Sequence, residues 1–331
     1  MSDRVENSTD QAAQILDGGP VIGSPAVAKE EHLSPNQRAW RRFKRNYPAM
    51  LSLYFLAALV LLVLFWPWLA HYKPDAVSEA QFQAPSPSHW FGTDVHGRDL
   101  LTRVFYGASV SLLVGIVGAG VAFVIGVTWG AIAGYVGGRW DNMLMRFVDI
   151  LYSLPSIVFV IVLITTLDEG VRKWLGNTFG AQASNKANLI FLFVGLGAVS
   201  WLTMARIVRG QVLVLRNRQF VDASRSLGAS HFQILWHHIL PNVYGIIIVY
   251  LTLTVPAIIL YESFLSYLGL GIQPPMASWG SLIAEGAQQL NPIRIYWWLL
   301  VFPASMLVFT LLAMNFVGDG LRDAFDPRSK S

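Results

Sequence analysis

Phe220-Val221-Asp222-Ala223-Ser224-Arg225-Ser226-Leu227-Gly228-Ala229-Ser230, running on through His237-His238-Ile239-Leu240-Pro241, is a basic, polar segment set between two apolar stretches. Five arginines (Arg206, Arg209, Arg216, Arg218, Arg225) surround one acid, Asp222, the only carboxylate between Glu169 and Glu262. Phe220, Ala223 and Leu227 share a face at helical spacing. Gly228 is placed to end that helix in a left-handed conformation. Ser230 and Gln233 have the spacing of a capping box that starts a second helix, and Pro241 marks entry into the next apolar stretch. A lone acid on a basic helix-Gly-helix segment at a membrane surface is expected to dock a soluble partner. The pattern also has the outline of a helix-turn-helix. Both its ends are tied to apolar spans within a few residues, so a major-groove reader could not reach a duplex, and no nucleic acid is expected.

Outward from this loop, hydrophobic residues make up 54% of the chain and charged residues 13%, where a soluble domain carries about 25% charge. Residues 46–70, 104–138, 150–167, 187–205 and 295–318 hold no Asp, Glu, Lys or Arg. A bilayer span needs about 20 apolar residues, so each run is long enough or nearly so. A further span follows Pro241. The expected architecture is an all-α integral membrane protein with six transmembrane helices, near residues 49–69, 110–135, 147–167, 188–207, 243–268 and 296–317. The first 37 residues are polar and are expected to form a disordered tail. The first span is about twice the length of a signal-peptide core and is expected to stay as an anchor.

Lysine and arginine sort the connections. Arg38, Arg41, Arg42, Lys44, Arg45, Arg139, Arg146, the five loop arginines, Arg322, Arg328 and Lys330 lie on one side. Lys73, Arg98, Arg103, Arg172, Lys173, Lys186 and Arg294 lie on the other. Fifteen against seven places both termini and the loop in the cytoplasm. This bias also accounts for the basic net charge without any polyanionic partner.

Within the spans, Gly118, Ala122, Gly126, Gly130, Gly134 and Gly138 recur every four residues, a spacing that lets a second helix backbone come close. The neighbour is either another helix of this chain or a second subunit. Arg146 and Asp149 share a helix face at the start of the third span, as an anchoring pair or a pathway element, and Pro155 is expected to kink that span. Glu262 lies inside the fifth span, where a carboxylate costs about 2.5–3.5 kcal/mol. It is expected to line a pathway or to form a structural pair. Residues 71–103 form a long external connection whose acids can pair with Arg98 or Arg103, and 168–187 form a second one. The absence of cysteine excludes disulfides and thiolate sites. No catalytic residue and no metal-ligand spacing stands out, and there is no Gly-x4-Gly-Lys-Ser/Thr phosphate loop.

The chain resembles the integral membrane permease subunits of bacterial ABC importers for peptides and nickel, and more closely the C-type permeases of the dipeptide and oligopeptide systems. That family's cytoplasmic loop carries Glu-Ala-Ala, three residues, Gly, nine residues, Ile, one residue, Leu-Pro. Asp222-Ala223-Ser224, Gly228 and Leu240-Pro241 fit the spacing. Asp222 stands for the Glu, Ser224 for the second Ala, and His238 at the Ile position with Ile239 one place later. Gly92-Thr93-Asp94 with Gly97-Arg98-Asp99, Asp149 through Pro155, Leu265 through Gly271 and Asn315 through Pro327 are similar to further family segments. The resemblance covers about residues 38–327.

It implies a type I ABC importer permease fold: an anchor helix and external loop over 38–100, and a transmembrane core over 101–331 with a coupling loop at about 206–242. It implies a bacterial cytoplasmic (inner) membrane location. The implied partners are a second, B-type permease, two ATPase subunits or a homodimer of one, an extracytoplasmic substrate-binding protein, and the lipid bilayer. ATP and Mg would be bound by the ATPases, with no cofactor in this chain. Asp222, Ala223, Ser224, Leu227, Gly228, Ala229, Leu240 and Pro241 would couple to them. The implied function is import of short peptides by alternating access. Nickel is the alternative cargo and an intramembrane enzyme a remote one.

Overall fold

A computed structural model describes residues 34–180, 187–290 and 293–326. The expected disordered tail lies almost wholly outside the described residues. The chain divides after Arg38 into Met1–Arg38 and Ala39–Ser331. Among the described residues the regular structure is helical: α1 (Pro35–Arg45), α2 (Tyr47–Leu69), α3 (Leu100–Val136), α4 (Gly138–Ser153), α5 (Ser156–Phe179), α6 (Ala187–Leu215), α7 (Gln219–Ser226), α8 (His231–Gln233), a π-helical turn (Ile234–Ile239), α9 (Leu240–Tyr267), α10 (Trp279–Gln288) and α11 (Trp297–Phe325).

Helix starts follow local chemistry. The Asn46 side chain accepts from the Ala49 amide at 3.2 Å at the head of α2, and Asp99 accepts from the Thr102 amide at 2.9 Å at the head of α3, each filling one of the orphan donors that a helix N-terminus leaves. α2, α3, α9, α11 and the Gly195–Leu215 part of α6 are long and apolar enough to span a bilayer.

The third expected span is different. It is not a kinked helix over 147–167 but two helices, α4 and α5, bent by 90° at the break between them. Pro155 has no amide to donate and disfavours a helical conformation in the residue before it. Leu154 is accordingly extended, at φ −82° and ψ 138°. Six spans are counted only if this bent pair is one of them. α5 then runs to Phe179, so the first part of the expected external connection 168–187 is helical. Its chain turns at Gly180, at φ +88°, and residues 181–186 lie outside the described residues.

The small-residue stripe faces α6 of the same chain. A Cβ on Gly126 would come within 2.8 Å of the Trp201 carbonyl oxygen, and one on Gly134 within 2.8 Å of that of Arg209. The glycines thereby let the α3 backbone lie directly against the α6 carbonyls and against the Met204 and Val212 side chains. Gly138 is not part of this contact: it opens α4 and has open space around it.

The long connection before α3 is folded around Asp94. Its carboxylate accepts from the His96 and Arg98 amides at 2.8 and 2.9 Å, from Arg98 Nε at 2.6 Å and from Arg103 Nη1 at 2.7 Å. Arg103, buried, also donates to both oxygens of Glu285 on α10, at 2.6 and 3.0 Å. The loop is thereby clamped to α3 and α10 together.

Candidate docking loop and buried carboxylate

α7 closes as the sequence pattern suggests. Gly228 takes φ +83°. Its amide donates to the Arg225 carbonyl at 2.9 Å, and the Ala229 amide donates to the Ser224 carbonyl at 3.1 Å. This is the Schellman arrangement. Ser230 and Gln233 then exchange side-chain bonds to each other's amides at 3.3 and 2.9 Å, the capping box of α8.

After Gln233 the chain makes a π-helical turn rather than a plain helix, and Pro241 is the cause. Lacking an amide, it cannot bond back to the His237 carbonyl, and its ring crowds that group. The Leu240 amide reaches back five residues to the Leu235 carbonyl instead, the π pattern that relieves such a conflict. The Asn242 side chain donates to the His238 carbonyl at 2.6 Å.

The loop is pinned to the bundle by a residue that its sequence periodicity does not single out. Val221 is fully buried and packs with Val208, Val212, Ile234, Ile239 and Val243. The face carrying Phe220, Ala223 and Leu227 is not packed on this chain. All three are exposed, Leu227 to 88%. Asp222 is exposed beside them, with Arg225 Nη1 at 3.4 Å, an exposed contact worth about 1 kcal/mol or less. Phe232 and Trp236 add an exposed stacked pair on the second half. Of the remaining expected coupling residues, Ser224, Ala229 and Leu240 are half-buried and Pro241 is exposed. The first half of the loop thus has one buried peg, Val221, in the same cluster as the buried Ile234 and Ile239 of the second half, and a broad outward face that is apolar with an acid in it.

The basic residues around it do structural work that their count alone hides. Arg209 forks Asp141 of α4, Nε to Oδ1 at 2.5 Å and Nη2 to Oδ2 at 2.7 Å. Arg216 donates to the Gly134 and Tyr135 carbonyls at the end of α3, at 3.3 and 3.1 Å. The Tyr135 hydroxyl lies 2.9 Å from His231 Nδ1 at the start of α8. Arg206 pairs with Asp149 at 2.7 Å and covers the Tyr152 ring. The expected Arg146–Asp149 pair is therefore corrected: Asp149 turns to Arg206 across the helix interface, and Arg146 is exposed. Their i,i+3 spacing on α4 permits a contact, but the bond to Arg206 across helices takes its place.

Glu262 is completely buried in α9. Its hydrogen bonds come from serines and not from a base: Ser266 donates at 2.6 Å, Ser111 of α3 at 3.2 Å and Ser263 at 3.5 Å. Ser111 Oγ also accepts from the Trp279 amide at 3.2 Å, and Ser266 Oγ from the Ile272 amide at 3.0 Å. Ser278, which caps α10, lies 3.4 Å from Ser266. The acid is thus the hub of a polar knot joining α3, α9 and the head of α10. The sequence marks the acid; nothing in it marks its serines, which come from three separate segments.

A bundle of long apolar helices with an exposed polar loop between two of them defines an integral membrane subunit. The chain belongs to the binding-protein-dependent transport system inner membrane components, whose family it matches over residues 126–331. Residues 34–85 match the N-terminal transmembrane domain of oligopeptide transport permease C. It is 46% identical to the oligopeptide transport system permease protein OppC of Escherichia coli K12, over 89% of this chain and 91% of that one. It is 45% identical to the OppC protein of Haemophilus influenzae, over 89% of each chain, and 44% identical to the dipeptide transport system permease protein DppC of Bacillus subtilis, over 91% of this chain and 88% of that one. Among solved structures, the inward-facing MetNI methionine ABC transporter shares the fold, with a TM-score of 0.50 at 22% identity over 68% of this chain and 97% of that one. The protein is a permease subunit of an ABC importer, a transport component and not an enzyme.

Proposed function

We propose that this chain is the C-type permease of a peptide importer in a bacterial cytoplasmic membrane, with both termini and the Asp222 loop on the cytoplasmic side. It works with a B-type permease, with two ATPase subunits or a homodimer of one that bind ATP and Mg, and with an extracytoplasmic binding protein. Residues 38–100 serve as anchor and external loop, and 101–331 as the moving core. The observation that carries this reading is the loop's construction: Val221 holds α7 to the bundle while Asp222, Ala223 and Leu227 point outward. A surface so built takes force from a docked partner and passes it to α6 and α9 through that peg. ATP-driven closure of the ATPases moves α7, and the pathway switches from inward to outward opening.

The peptide cargo rests on the names of the relatives, which are oligopeptide and dipeptide permeases. The experiment is uptake of a labelled peptide by cells carrying the full importer, comparing wild type with Asp222→Arg. Loss of uptake with normal membrane insertion is expected, and normal uptake by the variant would sink the coupling role. Nickel uptake without peptide uptake by the wild type would overturn the cargo.

A further inference from the structure

We infer that α1 is a docking surface for anionic phospholipid headgroups, and that it fastens the C-terminal end of α11 to the membrane surface. α1 is two-sided. Ala39 and Phe43 are buried in a cluster with Ala49 of α2 and with Val317 and Ala324 of α11. Phe43 fits against Gly320, where an added Cβ would meet its ring at 3.1 Å. Arg42 Nη1 donates to the carbonyl of Asp326, the residue that ends α11, at 3.0 Å. The opposite side presents Lys44 and Arg45, both exposed.

Residues 34–74 contain no acid, so no carboxylate within this stretch offsets these cations. The chain changes direction at Asn46, which is extended at φ −85° and ψ 95°. α2 then begins at once with Tyr47, Leu51 and Tyr54, all largely exposed and apolar. A helix whose cations sit one residue outside a lipid-facing span lies at headgroup level, where a cluster of Lys and Arg favours anionic lipid. Trp40 is exposed beside them, with the Lys44 ammonium 5.3 Å from its ring centre. A Trp or Tyr pair at such a boundary suits the interface between water and acyl chains. Charge complementarity and continuity with the lipid-facing side of α2 therefore select a membrane surface as occupant over a soluble protein.

The test is lipid retention. The intact importer complex is purified in mild detergent supplemented with equal phosphatidylglycerol and phosphatidylcholine, and retained lipids are counted by native mass spectrometry. The wild type is expected to keep phosphatidylglycerol in excess of phosphatidylcholine. Lys44→Gln/Arg45→Gln loses that excess, while Lys44→Arg/Arg45→Lys keeps it. Arg139→Gln/Arg218→Gln, which removes cytoplasmic-side charge elsewhere, also keeps it. An unchanged excess in Lys44→Gln/Arg45→Gln overturns the proposal. So does loss of the ATPase subunits from that variant with its lipid excess intact, which would assign the cations to a protein partner. The proposal leans on the proposed function only for the cytoplasmic side. Lipid is supplied to both faces of the complex, so a wrong orientation leaves this result unchanged and shows up in the uptake assay instead.

Discussion

Val221 and Leu227 sit six residues apart at the two ends of one short helical segment, one fully buried in the bundle and the other 88% exposed. They separate the side of α7 that packs on its own chain from the side that faces outward. Val221→Ala removes about two methylene equivalents from a packed site, a loss of about 1–2 kcal/mol. It should make the loop more sensitive to limited proteolysis in detergent. Leu227→Ala should leave protease resistance unchanged and reduce the ATPase subunits recovered with the permease. Equal effects of the two substitutions on both readouts would mean that α7 is not held at one side and used at the other.

Gly228 needs its backbone and not its space. Its φ is +83° and no neighbouring atom lies within 4 Å of an added Cβ. A side chain there costs only the left-handed conformation, about 1–2 kcal/mol. Gly228→Asn, a residue that tolerates that region, should transport peptide close to the wild-type rate. Gly228→Val should insert normally and transport several-fold more slowly. A steric origin would instead rank the variants by size, which transport rates of the Ala, Asn and Val series would reveal.

The serines around Glu262 make its hydrogen bonding more important than its sidedness in any pathway. Glu262→Gln keeps an acceptor for Ser266 and Ser111, whereas Glu262→Leu strands hydroxyls in a buried site, and each such group costs about 1–3 kcal/mol. Thermal unfolding of the detergent-purified protein should therefore drop clearly for Leu and little for Gln. If transport collapses in Glu262→Gln while stability holds, the carboxylate has a role in the cycle beyond tying α3, α9 and α10 together.

The fork between Arg209 and Asp141 is expected to be the most stabilising contact at the docking-loop end of the bundle. Asp141 is buried and Arg209 about a third exposed, so the loss on breaking it should be about 1.5–3 kcal/mol, below the roughly 3–5 of a fully buried pair. Asp141→Ala and Arg209→Ala should each lower the melting temperature, and the double variant should fall by less than the two together.

Much of the fold is legible in the residues. Charge-free runs mark the helices of the bundle, because lipid tolerates no unpaired backbone and few charges. Gly228, Ser230 and Gln233 mark the two halves of the loop, since their roles depend on backbone geometry within a few residues. The break at Leu154–Pro155 is announced by the proline but not its size: a kink and a 90° turn share the same cause and differ in what surrounds them. The partner of Asp149 escapes a reading by spacing because Arg206 is distant in sequence and Arg146 is near. Val221 escapes it because the periodic apolar face of α7 points away from the chain, and the residue that anchors the helix lies off that face. The serine knot and the Arg103–Asp94–Glu285 clamp bring together residues from separate segments, which spacing along one segment does not reveal.

The glycine seam between α3 and α6 has a mechanical consequence. On the α3 side the glycines leave no side chains to re-pack, so Met204, Val208 and Val212 of α6 rest directly on backbone, and close-packed interiors transmit strain. Arg216 ties the far end of that seam to the start of the docking loop. A displacement imposed at the loop would therefore be felt by both helices together, as by one stiff strut.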